Sequence, residues 1–433
     1  MILRDPVHGL VSFEGVAERV IEALLATREV QRLRRVRQLG LASLVFPGAE
    51  HSRFAHAIGS AHVMVRLQER IRASEGELPP DQRMDTEAAA DALAAALLHD
   101  LGHGPYSHLF EAVLPVPRHH EAWTVEAIRS PETEVHRTLE RISGGMAERV
   151  ASLLSGYYRL PYLARAVSGR IDVDRFDYLL RDSHMTGVRY GLYDLDWLLR
   201  ALTFAEAPGG EWVLAIEGRK GLPPIEGFFL GRNFMYQQVY HHKATRGAES
   251  LVRAMFVRLG ELVREGRAPE PTPRALRAAA LGEEAALGEY LELDDAHVEV
   301  CFARWERGED PVLADLAARL RARRLPKTLP LPDGEPALWR EARTRAAEVV
   351  RAHGGRPDLA VWLDIASDTP YAEPSDESAE GLWVRIRHQP LQRLASVSFL
   401  LKHLRNKRIE RPRLVFPPEL RSEVHDAVVP LLR

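Results

Sequence analysis

The chain has 433 residues, of which 45% are hydrophobic, so it can bury a large core as one large domain or as two or three smaller ones. Its 58 basic and 61 acidic residues leave a net charge of −3, which argues against a protein built mainly to coat nucleic acid. The single cysteine, Cys301, excludes structural disulfides within the chain and cysteine-rich zinc sites.

The start of the sequence lacks the basic and apolar regions of a signal peptide, and no apolar run reaches the roughly 18 residues of a membrane span. We therefore expect a cytoplasmic protein with no membrane association.

Helical spacing of apolar residues predicts the main elements of the first part of the chain. The predicted helices cover residues 17–39, 53–75, 85–98, 171–183 and about 224–266, and a short strand covers 211–216. Gly102 is a plausible stop signal for the third helix.

The residue composition changes after Gly266, where a proline-rich stretch over 268–273 suggests a linker. Residues 274–353 are mostly helical in pattern, whereas 358–366, 382–387 and 414–418 read as strands before a final helix. We therefore expect a mainly α fold, with a helical core over 1–266 and a smaller mixed α/β lobe over 267–433.

The string His99-Asp100-Leu101-Gly102-His103-Gly104-Pro105 is the most informative motif. Adjacent His and Asp at a helix end can bind one divalent ion, and His56 and Asp174 could complete a set that leaves positions open for water and a phosphate oxygen. Each piece alone has a simpler explanation. A His-Asp pair is common, a lone His56 is usually a partly buried polar residue, and Asp174 is usually a helix-surface acid beside the N-cap candidate Asp172.

These residues lie within a series of longer sequence motifs that follow one another in a fixed order. They are 5–9 (DPVHG), 31–34 (QRLR), 38–40 (QLG), 46–49 (FPGA), 51–56 (HSRFAH), 99–108 (HDLGHGPYSH), 171–178, Arg232-Asn233 and Tyr240. With them the chain resembles the HD superfamily of metal-dependent phosphohydrolases. More narrowly, it resembles the dNTP triphosphohydrolases related to the vertebrate SAM-and-HD-domain protein, without the SAM domain. The resemblance covers roughly residues 4–250 and, more weakly, the C-terminal lobe.

The resemblance implies an HD-type helical catalytic core and a role for each matching residue. One divalent ion (Mn, Fe, Zn, Ni or Mg) would be held by His56, His99, Asp100 and Asp174, with additional Mg on the substrate phosphates. The matching catalytic residues are Arg53 at the α-phosphate, His108 with Glu111 one helical turn later, and His120 paired with Glu121. The matching substrate contacts are Gln38, Leu39, Arg53, His103, Arg175, Tyr178, Asp182, Arg232 and Tyr240.

Helical spacing fits these roles, since Asp174, Tyr178 and Asp182 share one helix face, and Arg232, Tyr236, Tyr240 and Lys243 share another. Without the resemblance, the pattern favours a buried core stripe for the tyrosines. His241 and His242 are interpreted as surface polar residues.

The sequence departs from the family pattern where a regulatory guanine nucleotide binds. Met1 and Ala26 stand where a lysine and an acid are expected, although the candidate regulatory residues Arg32 and Arg34 are kept. We therefore expect that guanine nucleotide is not an obligatory activator. Tyr236 and His241 replace a histidine and a glutamine, which leaves the base and sugar preference open.

The expected reaction is the hydrolysis of a dNTP to a deoxynucleoside and triphosphate, and the resemblance implies a homo-oligomer, either a dimer or a tetramer. Two alternatives remain. One is another HD nucleotide phosphohydrolase, a 5′-nucleotidase or a phosphodiesterase, because the same metal set would serve it. The other is a non-catalytic nucleotide-binding or nucleic-acid-binding protein that uses Arg32, Arg34 and the stretch 405–413.

Overall fold

The computed structural model describes residues 1–113, 118–374 and 381–432, and its fold is mainly α, as predicted. The helices are α1 (Arg19–Leu25), α2 (Arg28–Arg32), α3 (Arg53–Ser74), α4 (Thr86–Leu98), α5 (His108–Val113), α6 (His120–Arg129), α7 (Glu134–Ile142), α8 (Met146–Leu154), α9 (Pro161–Val167), α10 (Val173–Thr186), α11 (Leu195–Arg200), α12 (Leu222–Met235), α13 (Lys243–Arg264), α14 (Arg274–Leu281), α15 (Leu287–Glu292), α16 (Asp295–Trp305), α17 (Pro311–Arg321), α18 (Pro336–Ala352), α19 (Pro357–Ala360), α20 (Leu394–Val397), α21 (Phe399–Leu404) and α22 (Arg421–Val428). The strands are β1 (Ile2–Asp5), β2 (Gly9–Ser12), β3 (Leu202–Glu206), β4 (Trp212–Glu217), β5 (Lys327–Pro330), β6 (Trp362–Asp368), β7 (Trp383–Arg385), β8 (Gln392–Arg393) and β9 (Ile409–Phe416).

The alanine-rich helix α4 lies at the centre of the main core. Its side chains from Leu93 to Leu98 are fully buried, and it packs against α1, α3, α8 and α9. Small side chains allow neighbouring helices to approach on every side, which is why this helix shows no polar face over its second half. Asp85 caps its start by accepting a hydrogen bond of 2.8 Å from the amide of Ala88.

Helix α3 crosses α10 at Gly59. A Cβ atom at this position would lie 1.8 Å from Oδ1 of Asp177 and 2.4 Å from a guanidinium nitrogen of Arg181, both of which are buried. Glycine therefore sets the distance between the two helices that carry His56 and Asp174.

Two predicted helices are interrupted. The segment 17–39 breaks at Thr27, whose backbone is extended (ψ 146°) and whose hydroxyl donates to the carbonyl of Leu24 at 2.6 Å. The segment 224–266 contains one π-helical turn over Tyr236–Tyr240, between α12 and α13. π turns are frequent at functional sites. This turn leaves the apolar pattern almost unchanged, so apolar spacing alone could not reveal it.

The C-terminal part contributes to two places in the molecule. Strands β5, β9 and β6 form an antiparallel sheet covered by α18 and α22, with their own small apolar cluster. Strand β7 instead pairs in parallel with β4, with Ala215 opposite Trp383, and residues such as Val384 and Leu394 join the main core. The division at residue 266 therefore stays a prediction, because the chain returns to the helical core after it.

The three strands predicted in this part are present with shifted bounds, whereas β5 and β8 were not predicted. β6 begins at Trp362, later than predicted, because Pro357–Ala360 forms α19. None of the helices within the described residues is long and apolar enough to span a bilayer.

Replacing Gly59 with alanine should lower the midpoint of thermal unfolding. The new methyl group has no free space between α3 and α10, and overpacking of this kind costs about 1–3 kcal/mol. The control is Gly227→Ala, also within a helix, where an added Cβ meets no atom within 4 Å and helix propensity should rise. Equal midpoints for Gly59→Ala and the native protein would contradict the close approach described above.

Candidate metal centre and substrate cavity

Four predicted ligands converge at one point. α3 carries His56, the turn after α4 carries His99 and Asp100, and the first turn of α10 carries Asp174. Nε2 of His56 lies 3.2 Å from Nε2 of His99 and 3.0 Å from Oδ1 of Asp174. Oδ1 of Asp100 lies 3.5 Å from Nε2 of His99. These separations are those expected when bonds of roughly 2.0–2.2 Å meet at one ion.

The electrostatics of this point favour a positive charge. Burial opposes protonation of His56, but hydrogen bonds to Asp174 and Asp177 raise its pKa to about 10. Two imidazole nitrogens and two carboxylate oxygens suit a borderline or hard divalent cation. The residues present therefore fit a bound divalent ion.

A buried carboxylate behind the ligands, Asp177, orients His56. Its Oδ2 lies 2.8 Å from Nδ1 of His56, and its Oδ1 lies 2.7 Å from Nε2 of His8. Arg181 donates to both oxygens at 2.8 and 2.9 Å and also pairs with Asp5 at 2.9 Å. Such a partner fixes the imidazole so that Nε2 faces the ion.

This support was missed in the sequence analysis, although it explains the opening motif. Asp5 and His8 lie at the turn between β1 and β2, and Asp5 accepts hydrogen bonds from the amides of Val7 and His8 at 2.8 and 2.9 Å. The N-terminal hairpin thus brings His8 to the metal site. The available signal was Asp177, three residues after Asp174 on the same helix.

Arg53 lies beside the ligands in the first turn of α3. Its Nε donates to Oγ of Ser107 at 2.6 Å, and its guanidinium also pairs with Asp100. Ser107 in turn donates to the carbonyl of Arg37 at 2.7 Å. This buried arginine is therefore held in place before any substrate arrives.

Glu111 is the centre of a second cluster. Its carboxylate lies 2.9 Å from Nδ1 of His120, 3.1 Å from His119, 3.5 Å from His103 and 3.6 Å from His108. Burial opposes ionisation, but hydrogen bonds to His108 and His120 hold the pKa of Glu111 well below its usual value. The acid predicted to pair with His120, Glu121, is instead largely exposed and lies 3.5 Å away.

This second cluster does not have the geometry of a metal site. The rings of His103 and His120 stack at 3.7 Å with only 15° between their planes. Imidazole binds an ion in the plane of its ring, so two nearly parallel rings cannot direct their lone pairs at one ion. The four histidines instead surround one carboxylate, that of Glu111.

A cavity of about 1080 Å³ opens onto the metal ligands and collects most of the predicted site. Its lining includes Gln38, Leu39, Arg53, His99, Asp100, His103, His108, His120, Asp174, Arg175, Tyr178, Asp182 and Tyr240. Oε1 of Gln38 is buried without a hydrogen-bond partner among the described residues, so this acceptor remains free for a ligand.

Polar contacts order the wall of the cavity. Asp182 lies 2.7 Å from Nε2 of His51 and accepts a 2.8 Å hydrogen bond from the hydroxyl of Tyr240. Arg175 pairs with Asp172, the confirmed N-cap of α10, and this pairing raises the pKa of the guanidinium. Burial raises the pKa of Tyr178 and Tyr240 well above the usual value, so both hydroxyls are neutral.

Three predicted residues lie elsewhere. Arg232 is not among the cavity residues, because its guanidinium pairs with Asp368 of β6 at 2.8 Å. Arg32 is buried and donates to the carbonyls of Leu293 and His103, each at 2.7 Å, so its donors hold backbone instead of facing solvent. Arg34 is exposed and lies 3.7 Å above the ring of Phe54.

The cavity also contains residues that the sequence analysis did not assign to it, namely Tyr236, His241 and Arg246. The interpretation of His241 as a surface residue was wrong. Burial, and secondly the charge of Arg246, lower its pKa to about 4, so the imidazole is neutral at neutral pH. Tyr236 is the first residue of the π turn, and His241 follows the turn directly.

The comparisons with known proteins agree with this geometry. A family model described as HD domain matches residues 53–155, the span that contains three of the four ligands. The chain is 33% identical over 424 residues to the uncharacterized protein YwfO of Bacillus subtilis, covering 97% of this chain and 92% of YwfO. It is 27% identical over 292 residues to the deoxynucleoside triphosphate triphosphohydrolase SAMHD1 of Homo sapiens, covering 60% of this chain and 45% of that protein.

Solved structures extend the similarity to nearly the whole chain. A phosphohydrolase from Bacteroides thetaiotaomicron matches with a TM-score of 0.79 and 26% identity, over 96% of this chain and 99% of that one. A hypothetical protein from Aquifex aeolicus matches with a TM-score of 0.74 and 27% identity, over 99% of both. The chain therefore belongs to the HD-domain family of phosphohydrolases, metal-binding hydrolases of phosphoester bonds, and is a homologue of YwfO and SAMHD1.

Proposed function

We propose that this protein is a dNTP triphosphohydrolase that converts a dNTP and water into a deoxynucleoside and triphosphate. The observation that supports this best is the continuity of the cavity from the metal ligands, past Arg53 and Arg175, to the tyrosines Tyr178 and Tyr240. Arginine grips phosphate through paired donors, and a tyrosine ring is a rigid flat wall for a sugar. The similarity to SAMHD1, named for this reaction, supports the same substrate class.

In the proposed mechanism, His56, His99, Asp100 and Asp174 would hold a divalent ion, which would polarise the α-phosphate and make bound water more acidic. Arg53 and Arg175 neutralise charge that develops on the phosphates. The oxygen of water forms a bond to the α-phosphorus while the bond between this phosphorus and the 5′ oxygen breaks. His108 protonates the leaving 5′ oxygen, and the proton that water loses passes to solvent. Glu111, whose Oε1 lies 3.6 Å from Nδ1 of His108, orients this histidine.

A 5′-nucleotidase or phosphodiesterase is the second candidate, because the metal set alone would serve either reaction. Nucleic-acid binding through residues 405–413 has less support, since these arginines make contacts within the chain. Arg405 pairs with Glu373 at 2.9 Å, and Arg411 donates to Gln237 at 2.8 Å. Arg413 donates to the carbonyl of His241 at 2.7 Å.

Product analysis separates these functions. Purified protein is incubated with each dNTP, a deoxynucleoside monophosphate and a cyclic nucleotide in Mn²⁺ or Mg²⁺, and the products are resolved by chromatography. The proposal requires deoxynucleoside and intact triphosphate. Release of orthophosphate from the monophosphate alone would identify a 5′-nucleotidase instead.

His99→Ala and Asp174→Ala should each lose bound metal and hydrolysis together, because each removes one of four ligands. His108→Ala is the matched comparison. It should retain metal but lose hydrolysis by roughly 10²–10⁴-fold, the usual contribution of a general acid. Elemental analysis and dNTP turnover are measured on the same samples. Full metal occupancy in His99→Ala would show that His99 is not a metal ligand.

Asp177→Asn should weaken metal binding by roughly 10- to 100-fold, because His56 loses the carboxylate that orients it. The measurement is Mn²⁺ titration followed calorimetrically. The control is Asp196→Asn, whose side chain is 81% exposed. Unchanged Mn²⁺ affinity in a folded Asp177→Asn protein would show that His56 needs no such support.

The native enzyme should prefer dATP over ATP by about 100-fold, since a packed wall at Leu39 and Tyr240 crowds a 2′-hydroxyl and removes its water partners. Tyr240→Ala should lower kcat/KM for dATP and narrow this preference. Tyr240→Phe keeps the ring and loses only the hydrogen bond to Asp182, so it should keep most of the preference. Equal kcat/KM for dATP and ATP in the native enzyme would remove the proposed sugar selection.

A further inference from the structure

The loop that follows the His-Asp pair is held in an unfavourable backbone conformation. Tyr106 and Ser107 are consecutive non-glycine residues with positive φ, at 55° and 60°. L-residues rarely adopt this region, and such strain persists only where surrounding contacts impose it. In this loop the conformation places Oγ of Ser107 between Nε of Arg53 and the carbonyl of Arg37.

The contact that holds Tyr106 in this backbone conformation comes from Asp295, which lies 189 residues further along the chain. Its Oδ1 accepts a 2.7 Å hydrogen bond from the amide of Tyr106, and its Oδ2 accepts a 3.0 Å hydrogen bond from the amide of Arg37. The residue is only 5% exposed. One carboxylate thus binds two backbone segments that lie far apart in sequence.

Each of these segments carries part of the cavity. Arg37 immediately precedes Gln38 and Leu39, and Tyr106 immediately precedes Ser107 and His108. The segments also pack directly, since a Cβ atom at Gly40 would lie 3.0 Å from the carbonyl oxygen of Tyr106. The position of the Leu39 wall relative to His108 therefore depends on Asp295.

Helix α16 makes further contacts with the same loop from one face. Asp295, Glu299 and Phe302 follow at i, i+4 and i+7. The hydroxyl of Tyr106 donates to Glu299 at 2.7 Å, and its ring lies nearly parallel to Phe302 at 6.2 Å. The helix therefore has a fixed position on the loop, with Asp295 at its first turn.

We propose that Asp295 is a positioning residue, by which the C-terminal part of the chain sets the alignment of substrate with Arg53 and His108. This inference rests on the proposed function. Asp295 does not touch the cavity itself and acts through the Arg37 and Tyr106 amides.

The test is Asp295→Asn. The side-chain NH2 group then replaces one carboxylate oxygen and faces a backbone N–H, from which it cannot accept a hydrogen bond. Bound Mn²⁺ should stay at the native level, because no metal ligand is changed. The kcat for dATP should fall roughly 10- to 100-fold with a smaller change in KM, since misalignment affects the reacting geometry more than overall binding. Hydrogen exchange of peptides containing Arg37 and Tyr106 should become about 10-fold faster or more.

The matched comparison is Asp294→Asn. It removes the same charge one residue earlier and retains N-capping capacity, but its partners are Arg35 and His297 and not the amides of Arg37 and Tyr106. Its loss of kcat and its increase in exchange at the Arg37 and Tyr106 peptides should therefore be clearly smaller than those of Asp295→Asn. If Asp295→Asn does not fold, the same comparison is made with Asp295→Ser. The serine side chain is smaller and can accept one of the two hydrogen bonds.

Native exchange and native kcat in Asp295→Asn, or equal losses in Asp294→Asn, would overturn the proposal. Hydrogen exchange is measured without substrate, so it tests Asp295 even if dNTPs are not hydrolysed. In that case the kinetic comparison uses bis(p-nitrophenyl) phosphate, and the failure of the substrate assignment remains distinct from the failure of the positioning role.

Discussion

The carboxylate of Asp177 is the interaction on which most of this structure depends. An uncompensated buried carboxylate is very unfavourable, so the chain must bring cations and donors to it. Arg181 and His8 provide them, and the third partner is His56 itself. The N-terminal hairpin, α3 and α10 are thus tied at one charge, and the same contacts that neutralise Asp177 hold the imidazole that faces the metal position. Folding of the core and formation of the metal centre are therefore one event.

The sequence predicted the parts of the fold whose physical cause is local. Helices α3, α4 and α10 follow from apolar spacing, and the start of α10 also follows from the N-cap Asp172. The four candidate metal ligands were predicted from the order of motifs, and their convergence depends on those helices. The break at Thr27 and the π turn over Tyr236–Tyr240 leave the apolar pattern almost unchanged, so spacing could not reveal them.

Contacts between residues distant in sequence were also beyond the reach of the pattern. Nothing near Arg232 indicates that Asp368 of a later strand occupies its guanidinium, and nothing near Arg32 indicates that it is buried against the backbone of Leu293 and His103. His241 is a similar case, since its sequence neighbours are polar but its side chain faces the cavity. In each case a tertiary partner, rather than the residue type, decides the role.

The parallel pairing of β7 with β4 has a consequence for biosynthesis. Until residues 383–385 have left the ribosome, β4 lacks its neighbour on one side, and the core positions later filled by Val384 and Leu394 stay uncovered. Exposed apolar surface and an unpaired strand edge are the features that promote aggregation of nascent chains. The helices around the His-Asp motif therefore emerge early, whereas Val384 and Leu394 cover their core only more than 200 residues later, so the nascent chain exposes apolar surface throughout that interval.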